Sequence, residues 1–191
     1  MIKRNMKEII TSKHRWNEGA IAGLALGGFT IVMMVLSQLA SLIKGGVAVA
    51  AIGSIFGLLV WAAKFAGCIW LMRFFMLRLV AKYDQVTNQD TRRFGVVVAL
   101  LSAVLVAAFT MALMAFVTPD AFQEAMSTAM SQYGGSMDLN TQNALDALSS
   151  KMPVITFFVM FIYCWLFGII VSAILSRNIP SNNPFANDTD D

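Results

Sequence analysis

The sequence predicts an all-α, polytopic membrane protein whose four transmembrane helices form two antiparallel hairpins, with short amphipathic helices in the outer loop. Two observations carry this. Four apolar runs, Ile21 to Ile43, Val47 to Leu71, Gly95 to Val117 and Val154 to Leu175, are each long enough for a helix to cross about 30 Å of hydrocarbon. Lys64 is the one charge inside them. In addition, only 13% of the 191 residues are charged and 58% are hydrophobic, against about 25% charged in soluble domains.

The first element, residues 1–16, is a basic arm with Ile2, Met6, Ile9 and Ile10 at helical spacing, the pattern of a helix lying at an anionic lipid surface. Span 1 follows over residues 17–43. A basic start before an apolar run also describes a signal peptide, but this run is too long for a signal core. At its best small-residue site, Ala40, the bulky Gln38 stands where a small side chain is wanted, so the span is read as retained. Lys44-Gly45-Gly46 turns directly into the second span, so spans 1 and 2 are expected to be antiparallel neighbours. Span 2 with its polar extension covers residues 46–83, and Asp84 to Thr91 turn the chain into span 3 over 94–117.

The outer connection, 118–152, opens on Thr118-Pro119-Asp120, a helix start with a capping side chain, proline at the first helical position and an acid near the dipole. Phe122, Met126, Ala129, Met130 and Tyr133 then form an amphipathic stripe that Gly134-Gly135 breaks, and Leu139, Leu145, Leu148 and Met152 suggest a second short helix. Span 4 covers 153–176. The tail, 177–191, with Pro180, Pro184 and a terminal acidic cluster, is too polar to fold alone.

Charge sorting gives the orientation. Lys3, Arg4, Lys7, Lys13 and Arg15 precede span 1, Arg73, Arg78, Lys82, Arg92 and Arg93 lie between spans 2 and 3, and Arg177 follows span 4. The other side receives Lys44 and Lys151. The positive-inside rule makes both termini and the middle loop cytosolic. The basic residues are thereby accounted for by topology, and nucleic-acid binding finds no support.

Within the spans, two glycine series invite close helix packing: Gly19, Gly23 and Gly27 in span 1, and Gly53 and Gly57 in span 2. Without a hydrophobic effect between helices in lipid, small residues that let backbones approach supply the contact. Packing of spans 1 and 2 on one another within the monomer is the expectation, and homodimerisation through one of these faces is the alternative.

Polar candidates are few. Lys64 shares the helical face of Gly57. It admits three readings: snorkelling to headgroups, pairing with Glu18, or marking a substrate or ion site. Gln38, with Ser37 and Ser41, suits an interhelical hydrogen bond. Cys68 and Cys164 read as buried small hydrophobes rather than a redox or metal pair, and His14 as a solvated or headgroup-level side chain. No HExxH, P-loop, paired intramembrane acids or nucleophile–base pair occurs in the sequence. No catalytic residue, cofactor or metal is therefore expected.

The layout resembles a bacterial family of four-span membrane proteins known only as a domain of unknown function. The resemblance rests on the Trp16-Asn17-Glu18-Gly19 entry to span 1 and on a lysine-bearing span 2 running into Arg78 and Tyr83. The Arg93-Phe94-Gly95 entry to span 3, the outer helix after Thr118-Pro119 and the proline-containing tail complete it. It implies a multi-pass protein of the bacterial inner membrane and assigns no activity, cofactor or site residue.

The leading functional expectation is a non-catalytic accessory or scaffold subunit, with the lipid bilayer and a membrane protein or a second copy as partners. The alternatives are a small oligomeric transporter or channel with Lys64 near the pathway, and, third, an enzyme on lipid-linked substrates. The scaffold reading predicts a compact bundle with no continuous path through one protomer and its tightest contact at Gly23, Gly27, Gly53 and Gly57. A hydrated cavity lined by Lys64 and reaching the midplane favours the transporter.

Overall fold

Four apolar stretches that no water-facing stripe interrupts leave the backbone one way to satisfy its polar groups in lipid, the α-helix. The computed structural model describes residues 10–41, 47–84, 86–116 and 139–179, together with Glu124, Ser127 and Thr128. It contains α1 (Ser12–Ser41), α2 (Val47–Lys82), α3 (Asn88–Phe116) and α4 (Leu139–Arg177). Each is long and apolar enough to cross a membrane.

Several boundaries differ from the sequence reading. Ser12 to Trp16 form the first turn of α1 rather than part of a separate interfacial helix; residues 1–9 lie outside the described residues. α3 starts six residues before Phe94 because Thr87 caps it. The Asp90 N–H donates to Thr87 Oγ1 at 3.2 Å, and the Thr87 N–H and hydroxyl donate to Asp90 Oδ2 at 3.3 and 2.7 Å. This is a reciprocal capping box with aspartate in the acidic place. The expected second outer-loop helix is the first part of α4, which continues through Pro153 to Arg177. The stripe from Phe122 to Tyr133 falls almost wholly outside the described residues, as do the turn at 44–46 and the tail from 180 onward.

α3 is the central helix. It packs most extensively on α4, then on α1, while α2 leans chiefly on α1 and touches α3 and α4 little. The contacts set directions. Gly95 meets Ser172 and Gly168 meets Ala99, so α3 and α4 run antiparallel. Thr30 meets Cys68 and Glu18 meets Lys82, so α1 and α2 do too. Gly19, Gly23 and Gly27 meet Val97, Leu101 and Leu105 in rising order, so α1 and α3 run parallel.

These contacts correct the expected packing seam. The Gly19, Gly23 and Gly27 stripe receives side chains of α3 at positions 97, 101 and 105, not α2: a Cβ on each glycine would stand 2.7–2.8 Å from them. At Gly57 an added Cβ meets nothing within 4 Å; Gly53 lies among residues whose packing is not described. A short turn makes two helices neighbours, but close approach needs knobs that fill the glycine grooves, and α3 carries the matching branched residues at the same four-residue spacing. The tightest seams are Gly95 against Ser172 and Met76, and Gly168 against Ala99.

The buried core gathers toward the end that carries Arg15, Lys82, Arg93 and Arg177, here called the basic end. Met72, Met76, Leu79, Tyr83, Val86, Phe94, Val98, Val171 and Ile179 belong to it. Ser172 fastens α4 to α3 there by donating its hydroxyl to the Arg92 carbonyl at 3.0 Å. Toward the opposite end α2 stands apart: between Ile55 and Ile69, Val60 is the buried residue.

Candidate functional site: a Lys64 cavity

The loose seating of α2 leaves space beside it. A cavity of about 130 Å³ lies among all four helices, lined by Leu26 and Thr30 of α1, Trp61, Lys64, Phe65, Cys68 and Met72 of α2, Ser102 and Val106 of α3, and Tyr163, Cys164, Phe167, Gly168 and Val171 of α4. Val106 stands at the centre of the apolar run from Gly95 to Val117, and Tyr163 and Cys164 at the centre of that from Val154 to Leu175, so the cavity extends from the middle of the apolar layer toward the basic end. A second cavity, about 340 Å³, lies between α1 and α2 toward the opposite end, lined by Met33, Met34, Ser37, Gln38, Val60, Trp61 and Lys64. Trp61 and Lys64 line both.

The pairing of Lys64 with Glu18 does not occur. Glu18 instead accepts from the Lys82 ammonium at the basic end. The register explains this: Thr30 meets Cys68 and Glu18 meets Lys82, which puts Lys64 level with Met33 and Met34, two lining residues of the second cavity. Glu18 is 16 residues from Met34 along α1, about 24 Å at 1.5 Å per residue. No side chain spans that distance. Lys64 makes no ion pair with any described residue. The Lys64 ammonium and the Cys68 thiol both stand within electrostatic range of Cys164.

Two of the lining hydroxyls are satisfied within their own helices. Thr30 donates to the Leu26 carbonyl at 2.9 Å and Ser102 to the Ala99 carbonyl at 3.1 Å. These are back-bonds within a helix turn, which let hydroxyls line an apolar space at little cost. Lys64 is then the strongest electrostatic feature of the cavity, because a charge in low dielectric acts over longer range than in water. Where α2 faces α4, the wall is thin. Phe65 and Phe167 meet edge to face with ring centroids 5.2 Å apart, while Trp61 and Tyr163 remain 58% and 56% exposed. At the basic end the cavity stops at Met72 and Val171, beyond which Met76, Leu79, Phe94 and Ile179 are buried.

Of the sequence candidates, the fold brings Lys64 and Gln38 to one cavity wall and places Glu18 elsewhere. Sequence reasoning missed the thiols and Tyr163 as cavity residues. Cys68 lies four residues after Lys64, on the same helical face, and that spacing was the available signal. Nothing comparable ties Cys164 to Lys64. Among the described residues, no three His, Cys, Asp or Glu side chains are grouped to hold a metal ion.

No protein-family model matches the chain, and no curated protein and no solved structure is significantly similar to it.

Proposed function

We propose that this protein is a small multi-pass transporter or channel of a bacterial cytoplasmic membrane that takes an amphipathic anion, such as an organic acid with an apolar tail, at Lys64. The basic end faces the cytosol, with both termini on that side, and the helices follow one another as two hairpins. The charge sorting and the resemblance to bacterial four-span proteins support this placement. The observation that carries the function is the four-helix cavity at mid-depth with an ammonium on its wall and no described acid paired to it. A lysine in hydrocarbon raises the insertion cost by about 2.5–3.5 kcal/mol, and intramembrane cations characteristically mark a pathway or a ligand counter-ion. The two cavities meet at Trp61 and Lys64, so the space between α1 and α2 leads to the ammonium, while buried side chains close the basic end.

The cavity contains its own reporters. Cys68 and Cys164 are free thiols, so an impermeant anionic methanethiosulfonate applied from the outer side should modify Cys164 in a Cys68→Ser background. Its rate relative to a cationic reagent of similar size should fall about tenfold in Lys64→Gln, through loss of the local attraction. Thiols inert to both reagents, or a ratio indifferent to Lys64→Gln, would reject the reading.

An accessory or scaffold role is the second reading, favoured by Gly57. Its face has open space within the protomer, the arrangement of a small-residue seam that receives a helix of a second copy or of another membrane protein. Co-purification in mild detergent tests it: a stable partner lost in Gly57→Leu, with Lys64→Gln indifferent, would place scaffolding first.

A further inference from the structure

A third cavity, about 170 Å³, lies at the basic end between the N-terminal parts of α1 and α3, lined by Ser12, Arg15, Trp16, Arg93 and Val97. It is separate from the Lys64 site and has a different chemistry. From this cavity we infer a binding site for a phosphate monoester or diester, with the headgroup of an anionic phospholipid as its occupant.

Arg15 is held in place by Asp90, whose carboxylate accepts from its guanidinium. That pair is most of the way buried, each side chain 19% exposed, and it neutralises one charge while fixing the direction of the fork. Arg93 is exposed and makes no ion pair with any described residue. Among the described residues the cavity therefore keeps one guanidinium without a paired acid next to an oriented one, with the Ser12 hydroxyl as a third donor. Planar guanidinium forks match two phosphate oxygens, and two of them converge on tetrahedral phosphate better than on a carboxylate.

The remaining walls favour lipid. Val97 stands one helical turn beyond Arg93, on the side toward the apolar layer. Trp16 is 51% exposed beside the cavity, where an indole ring prefers to sit at headgroup depth. Phosphate oxygens then meet Arg15, Arg93 and Ser12 while the glycerol and first methylenes lie along Val97 and the Trp16 ring. The parallel pairing of α1 and α3, set by the glycine stripe, creates the site by bringing Arg15 and Arg93 to one end.

The test uses the full-length protein in mild detergent and native mass spectrometry, with phosphatidylglycerol, phosphatidylcholine and inorganic phosphate as probes. Wild-type protein should retain phosphatidylglycerol in preference to phosphatidylcholine, and Arg93→Gln should weaken this retention about tenfold. Arg92→Gln removes the same charge one residue away from the cavity, so it should change retention less than about twofold. Equal losses in the two variants would overturn the site in favour of diffuse surface charge, as would a wild-type protein with no preference for the anionic lipid. Inorganic phosphate that binds wild type, is lost in Arg93→Gln and competes at equal concentration would support the site and assign it to soluble phosphates instead. Because Arg93 is exposed, its replacement should leave the fold intact; an unchanged melting temperature checks this.

Discussion

Glu18 accepts from Lys82 at the basic end while Lys64 lies about 24 Å further along α1, level with Met34. This pair sets the α1–α2 register together with Thr30 and Cys68, whose side chains meet at 3.5 Å. Lys82 also stands 5.4 Å from the centroid of the Tyr83 ring, and His14 stacks on the other partner of that contact, its ring 5.3 Å from Tyr83. The intramembrane lysine is thereby left without the acid the sequence offered it.

Glu18→Gln and Lys64→Leu should act independently. A double-mutant cycle on thermal stability in detergent should be additive to within about 0.3–0.5 kcal/mol. Coupling well beyond that would mean the two side chains meet after all. Lys64→Leu alone should insert at least as well as wild type, since it removes a charge costing about 2.5–3.5 kcal/mol at the helix centre.

Glycine replacements should rank by the space each has. Gly95→Ala would put a Cβ 2.1 Å from Ser172 Oγ, and Gly168→Ala one 2.3 Å from Ala99 Cβ, so each should cost about 1–3 kcal/mol by overpacking. Gly57→Ala should leave the melting temperature of the isolated protomer unchanged. If Gly57→Ala proves as damaging as Gly95→Ala in monomeric protein, the seating of α2 is wrong.

Thr87→Ala removes both hydroxyl bonds of the α3 cap while its N–H stays on Asp90, and should destabilise by about 1–2 kcal/mol. Asp90→Asn should lose more than Thr87→Ala, because Arg15 then loses its anionic partner and the amide nitrogen that replaces a carboxylate oxygen cannot accept from Arg15 or Thr87. Chemical unfolding in mixed micelles reads the order, and an Asp90→Asn variant as stable as wild type would argue against the Arg15 clamp.

Orientation is testable by single cysteines in a background with Cys68 and Cys164 replaced by alanine. An impermeant reagent added to intact spheroplasts should label Gly135→Cys and Asn140→Cys but neither Asn88→Cys nor Asn187→Cys. Labelling at Asn88 from outside would invert the assignment of the basic end.

The sequence by itself determined that there are four apolar helices, roughly where they lie and which ends carry the cations, because length, hydropathy and charge are additive along the chain. It also marked Gly19, Gly23 and Gly27 as a packing face. Tertiary structure alone decided that this face receives Val97, Leu101 and Leu105, that Glu18 meets Lys82, and that Lys64 shares a cavity with Cys164. In a soluble helix a polar stripe tells which side faces water, and hence which faces the core. In lipid both sides are apolar, so hydropathy carries no signal for partner or register. Those follow from pairwise fit between surfaces, such as a glycine groove and branched residues at matching spacing, and that fit is a property of two helices together.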